Sequence, residues 1–199
     1  METNEERAMK TFFKDYAFQF QRLIDFDNKT AEKLIKVASA LKDVGRDGGT
    51  TWLLGNGGSN AICSHLAIDL TKNCRLSARC FSDGAEITCL ANDFGHEKWM
   101  AKAIELSARQ GDFVIFVSSS GNSQNIVNAA NFVVEHGLNH ASFSGMEQDN
   151  QINQICDLET NFWVDSKAYN FIEMAHQFYL LAIVDFIIGR TVYPSVRAD

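Results

Sequence analysis

Leu53-Leu54-Gly55-Asn56-Gly57-Gly58-Ser59 passes from an apolar run into a glycine cluster within seven residues. Residues 50–54 read as a short buried strand and residues 60–73 as a helix. Glycines at such a strand-to-helix turn let backbone amides approach a ligand closely, and the helix start adds free N–H groups and a positive dipole end. The turn is neither a full G-x-G-x-x-G nor a P-loop, because no Gly-Lys-Ser/Thr follows. The same order returns at Val117-Ser118-Ser119-Ser120-Gly121-Asn122-Ser123. Here an apolar strand over 113–117 runs into a serine turn and then a helix over about 123–136. Serine hydroxyls and helix N–H groups suit a phosphate monoester, although Ser120 or Asn122 also suits a plain N-cap.

Working outward, residues 78–82, 140–144 and 158–164 read as further strands. Helical patterns cover about 96–108 and 168–188. Strands alternating with helices predict a parallel sheet covered on both faces. Ligands of such sheets bind at the carboxyl ends of the strands, where both loops must lie. Residues 5–44 carry two helical patterns ahead of this unit. Met9, Phe12, Phe13, Tyr16, Phe20, Leu23 and Ile24 form the first stripe, suited to packing on the domain or on a second subunit. Leu34, Ile35, Ala38 and Leu41 form the second, and Asp27, Asn28 and Thr30 mark the break. The chain has a single proline, Pro194, and no linker. It reads as one domain over 1–199, with a helical segment at about 5–45, an α/β core at about 50–165 and a closing helix at about 168–189.

The net charge of -7 argues against nucleic acid and anionic membranes as partners. It does not exclude an anionic ligand, since helix N-termini hold phosphate without lysine. The five cysteines make no C-x-x-C pair, and the start has no basic-plus-apolar signal pattern. Reduced thiols in a cytoplasm are expected. The apolar run over 178–188 contains Asp185 and is read as too short for a membrane span, so a buried or interfacial helix is expected.

Two carboxylate–histidine pairs fall at helical spacing. His65 and Asp69 are four apart, and Glu173 and His176 three apart, so each pair shares a face. Such pairs suit acid–base work or metal ligation, and equally a solvated polar face. His96, His136 and His140 make no site by spacing.

Taken with Ser64-His65-Leu66-Ala67-Ile68-Asp69-Leu70 and Ala91-Asn92-Asp93-Phe94-Gly95, the two loops closely resemble the phosphoheptose isomerase family of SIS-domain proteins. The resemblance runs from the N-terminal helices to the last helix. It implies a three-layer α/β/α sandwich with a five-stranded parallel sheet, usually built into a homotetramer. It implies sugar contacts from Asn56, Gly57 and Gly58, with Asn92 and Asp93 lining the sugar site, and phosphate contacts from Ser118, Ser119, Ser120 and Ser123; Ser59 can add a hydroxyl to the glycine loop as a further substrate-binding group. His65, Asp69 and Glu173 take the positions of catalytic and metal-binding groups, so zinc is an implied cofactor and no nucleotide is. The family's second C-terminal histidine, a metal ligand and acid/base, is Leu181 here. His176 cannot replace it simply, being about 7.5 Å along the axis and roughly 140° around it on an ideal helix. Tyr179 is a substitute acid to consider.

The implied activity is interconversion of sedoheptulose 7-phosphate and an aldoheptose phosphate, for lipopolysaccharide or capsule heptose. Asp69 or Glu173 serves as base, and His65 holds metal or polarises oxygen. Leu181 keeps open a non-catalytic sugar-phosphate binder or assembly factor. A nucleotide-binding α/β domain is disfavoured by the missing fingerprints.

Overall fold

A computed structural model describes residues 3–194. The two ends of the domain expected over 1–199 therefore lie outside the described residues. The chain runs α1 (Asn4–Leu23), α2 (Asn28–Arg46), β1 (Thr51–Gly55), α3 (Gly57–Lys72), β2 (Ala78–Cys80), α4 (Gly84–Phe94), α5 (Trp99–Ser107), β3 (Phe113–Ser118), α6 (Gln124–Glu135), β4 (Asn139–Gly145), α7 (Gln151–Ile155), β5 (Asn161–Val164) and α8 (Tyr169–Ile188). The strands form one parallel sheet in the order β2-β1-β3-β4-β5.

Alternation along β3 divides the core into two. Phe113, Ile115 and Val117 join α2, α3 and α8 on one face, with Leu53, Phe143 and Phe162. Val114 and Phe116 join α5, α6 and α7 on the other, with Leu54, Trp99 and Ile152. Every residue of β3 is buried, as a central parallel strand with both faces covered must be. This is the expected three-layer sandwich with an N-terminal helical extension.

Local chemistry sets the element ends. Asp27 accepts from the Thr30 amide at 2.6 Å and starts α2. Gly189 takes φ +83 and closes α8 through bonds to Asp185 and Phe186 carbonyls. β5 begins later than expected because a turn on Asp157, which accepts from the Glu159 and Thr160 amides, occupies its first residues and leaves Leu158 exposed. α4 adds a helix beyond the expected pattern, and its last four residues with the Gly95 cap make up the Ala91–Gly95 motif. Gly95 at φ +85 then separates it from α5, so His96 sits in a turn and not at a helix start. α3 begins at Gly57, so the glycine turn is itself the first turn of the helix.

α8 matches the helix expected over about 168–188 and extends well beyond the greasy stretch over 178–188. Its 20 residues are long and apolar enough to cross a membrane by length and composition. Shortness is therefore not the reason to doubt a span. The reason is burial: Phe171, Ile172, Ala175, His176, Tyr179, Leu180, Ile183 and Val184 lie within the core. α1 is the reverse case. None of its residues is buried, although Tyr16 and Phe20 touch Phe171 with ring centroids 4.5 and 6.2 Å apart.

Candidate active site

β1 and β3 are neighbours, yet the chain leaves β1 for β2 on one side and β3 for β4 on the other. The crevice between their carboxyl ends is the switch point at which open α/β sheets bind ligands. Gly55 is paired with Val117, so the glycine and serine loops leave the sheet side by side. A Cβ on Gly55 would lie 2.7 Å from the Ser59 carbonyl carbon, so only glycine lets α3 start this close to its strand.

The two loops are stitched together. The Asn56 and Asn125 carboxamides exchange two hydrogen bonds, each 2.9 Å. Asn56 stands at the N-cap of α3 but gives it no side-chain bond. Ser123 likewise leaves the start of α6 without one. α1, α2, α4 and α7, by contrast, are capped by Thr3, Asp27, Asp83 and Asn150. α5 and α8 also lack a side-chain cap. In α6 the Ile126 amide is taken by Asn125 Oδ1 at 3.0 Å, while the other first-turn amides of α3 and α6 receive no side-chain bond from their N-caps.

Within the serine loop, Ser118 and Ser119 are buried, and the Ser119 hydroxyl has no hydrogen-bond partner. Ser120 Oγ accepts from the Asn122 amide at 3.2 Å. The Gly121 amide donates to the Ser118 carbonyl at 3.1 Å. Gly121 sits at φ +64 with the Asn150 carboxamide packed where a Cβ would be. Asn122 Oδ1 accepts from the Gln151 amide at 2.9 Å. α7, invisible in the sequence pattern, is therefore the brace of this loop. Ser59 is buried in the first turn of α3.

α3 and α8 carry the ionisable groups. His65 Nε2 lies 3.3 Å from Asp69 Oδ2, and Asp69 Oδ1 accepts from Asn73 Nδ2 at 3.0 Å. Gln177 Nε2 lies 3.3 Å from His65 Nδ1, a contact that sequence reading missed. Its spacing four residues beyond Glu173 was the available signal. The Glu173 carboxylate instead rests on the start of α3, where a Cβ on Gly58 would meet it at 2.5–2.7 Å. Leu181 is half-buried beside Phe178, Ala182 and Phe186 on the far part of α8.

Several of the expected residues already have protein partners or stand apart from the two loops. Among the described residues, no three His, Cys, Asp or Glu side chains converge on a point where a metal ion could sit. The expected ligand set of His65, Asp69 and Glu173 is divided between two places, and both ring nitrogens of His65 already have protein partners. These donors do not fit a resident metal as arranged, and no step is routed through one. Tyr179 donates to the Leu23 carbonyl at 2.7 Å, and burial raises its pKa, so it clamps α8 to α1 and is no substitute acid. His176 is fully buried, its Nε2 donates to the Ser144 carbonyl at 3.0 Å, and burial lowers its pKa to about 4. Asn92 and Asp93 are exposed on α4, where Asn92 Nδ2 donates to Asp93 Oδ1 at 3.0 Å, and neither bonds a residue of the two loops.

Comparison with known proteins gives this geometry its class. Residues 15–145 match the SIS domain, which makes the chain an SIS-domain protein. A phosphoheptose isomerase of Fusobacterium nucleatum subsp. nucleatum is 30% identical over 187 residues, covering 90% of this chain and 94% of that one. Another, from Haemophilus ducreyi, is 28% identical over 174 residues, covering 83% and 88%. The chain belongs to the phosphoheptose isomerase family, a family of aldose–ketose isomerases. A phosphoheptose isomerase structure from Neisseria gonorrhoeae shares the fold, with TM-score 0.77 and 23% identity over 93% of this chain and 98% of that one.

Proposed function

We propose that the protein isomerises a ketoheptose phosphate, sedoheptulose 7-phosphate or a close analogue, to an aldoheptose phosphate. The observation that carries this reading is the pair of stitched loops at the switch point, with uncapped helix starts and a buried, unpartnered Ser119 hydroxyl. Such a cradle suits a phosphate dianion, each helix start contributing about 0.3–1 kcal/mol. His65 lies eight residues along α3 from Gly57, roughly 12 Å down the axis. A sugar anchored by its phosphate at the loops must be long to bring a carbon there, which favours a heptose.

The reaction moves one proton from C1 to C2 and one from O1 to O2 through an enediol. Asp69 or Glu173 takes the C1 proton and returns it at C2. His65 passes the oxygen proton, with the Asp69 carboxylate 3.3 Å from its Nε2. A second reading, a sugar-phosphate binder without turnover, is favoured by Leu181 alone.

The test is product detection by NMR from sedoheptulose 7-phosphate, with and without zinc, alongside Ser120→Asp. The isomerase reading expects an aldoheptose phosphate from wild type and neither binding nor product from the variant, whose added charge repels phosphate. Substrate line broadening without product would favour the binder. Unimpaired binding by Ser120→Asp would remove the serine loop from the site.

A further inference from the structure

We propose that Gln177 is a positioning residue that fixes the proton of His65 on Nε2, directing the ring at Asp69 and leaving it no lone pair for a metal. The inference rests on reading His65 and Asp69 as the acid–base pair of the site, though its first test does not require turnover.

The argument is one of donors and acceptors. The Gln177 side-chain nitrogen can only donate, so His65 Nδ1, 3.3 Å away, must present its lone pair. The proton of a neutral ring then stands on Nε2, which faces Asp69 Oδ2 at 3.3 Å. Asp69 accepts a second bond from Asn73 at 3.0 Å. Three side chains on two helices thus form a directed chain, from Gln177 through His65 to Asp69, with Asn73 at the C-cap of α3 answering the other carboxylate oxygen. Turning the Gln177 amide over would put the proton on Nδ1. It would also set a bare Nε2 against the Asp69 carboxylate, two acceptors facing each other. The direction with hydrogen on Nε2 is the one in which each facing pair of the set matches a donor with an acceptor. It is also a direction in which His65 cannot ligate, because Nδ1 is engaged and Nε2 carries hydrogen. Leu181, one turn beyond Gln177 on α8, fits this: it offers neither a proton nor a ligand.

The experiment reads the ring nitrogens of His65 directly, by NMR of protein labelled with ¹⁵N-histidine at pH about 8, above the ordinary histidine range. Its signals are identified by their loss in His65→Asn. Wild type is expected to show a protonated Nε2 and a bare Nδ1, unmoved by added zinc. Gln177→Met keeps the volume and removes the donor, so both tautomers should be populated. Gln177→Glu keeps the shape but offers only acceptors, so the proton should move to Nδ1. A wild-type ring protonated on Nδ1, a ring unchanged in Gln177→Met, or His65 signals displaced by zinc would each overturn the proposal. Turnover is then measured separately: with the isomerase reading correct, Gln177→Met loses kcat with little change in KM. If no variant or wild type turns over, the functional reading fails while the tautomer result stands.

Discussion

Protonating His176 would set a positive charge in the core near Phe143, with its Nδ1 already unpartnered and only the Ser144 carbonyl at hand. The ring therefore stays neutral in the fold down to about pH 4, against an ordinary value of 6.5. Above pH 6.5 both states are neutral and the residue adds no pH dependence. Between 6.5 and 4 the unfolded chain binds a proton that the fold refuses, so stability falls as pH falls, by roughly 3 kcal/mol in full. Urea unfolding from pH 7 to 4 should show this slope in wild type and lose most of it in His176→Gln; equal slopes would refute it. Asp27 acts in a lower window. Hydrogen bonds from Thr30 hold its carboxyl below the ordinary value of 3.8, so its contribution goes only when pH falls through that depressed value. The sequence placed His176 and Tyr179 on α8 correctly. It could not say that one faces the β4 carbonyl and the other the end of α1, because a helical period fixes the direction of a side chain and not its partner.

At the scale of elements, the candidate site is made by helix starts more than by side chains. α3 and α6 lack a side-chain bond from their N-cap residues because Asn56 spends its carboxamide on Asn125 and the Ser123 hydroxyl makes no bond to α6. That pair also holds two loops, from strands far apart in sequence, in one register. Alanine at either asparagine should cost about 1–2 kcal/mol, and the double variant less than the sum, with coupling near 1 kcal/mol. Urea unfolding of the four proteins in the cycle measures it, and additivity would mean the pair is not a stitch. Both loops were legible beforehand, because strand, glycine or serine turn and helix follow in a short span. α7 was not legible, since five residues make no period; its role as the brace behind Gly121 exists only through the Asn122 and Asn150 contacts.

For the whole molecule, α1 bears on assembly. A 20-residue helix with no buried residue, exposing Met9, Phe12, Phe13 and Phe18, is not stable by propensity alone. We propose that a second copy of the chain covers that face, with the homotetramer implied by the family resemblance as the expected state. Sedimentation should give a mass well above the 22.2 kDa of one chain. Phe12→Ser combined with Phe13→Ser should lower it, and a wild-type monomer would refute the idea. The sequence by itself determined the alternation of strands and helices, the parallel sheet and the two loops at its carboxyl edge. Those depend on short-range periodicity and on glycine and serine at turns. Only the tertiary structure decided that Glu173 rests on Gly58 while His65 turns to Asp69 and Gln177. Residues more than a hundred positions apart meet there through the packing of α8 on α3, and no local pattern encodes which face of one helix meets which face of the other.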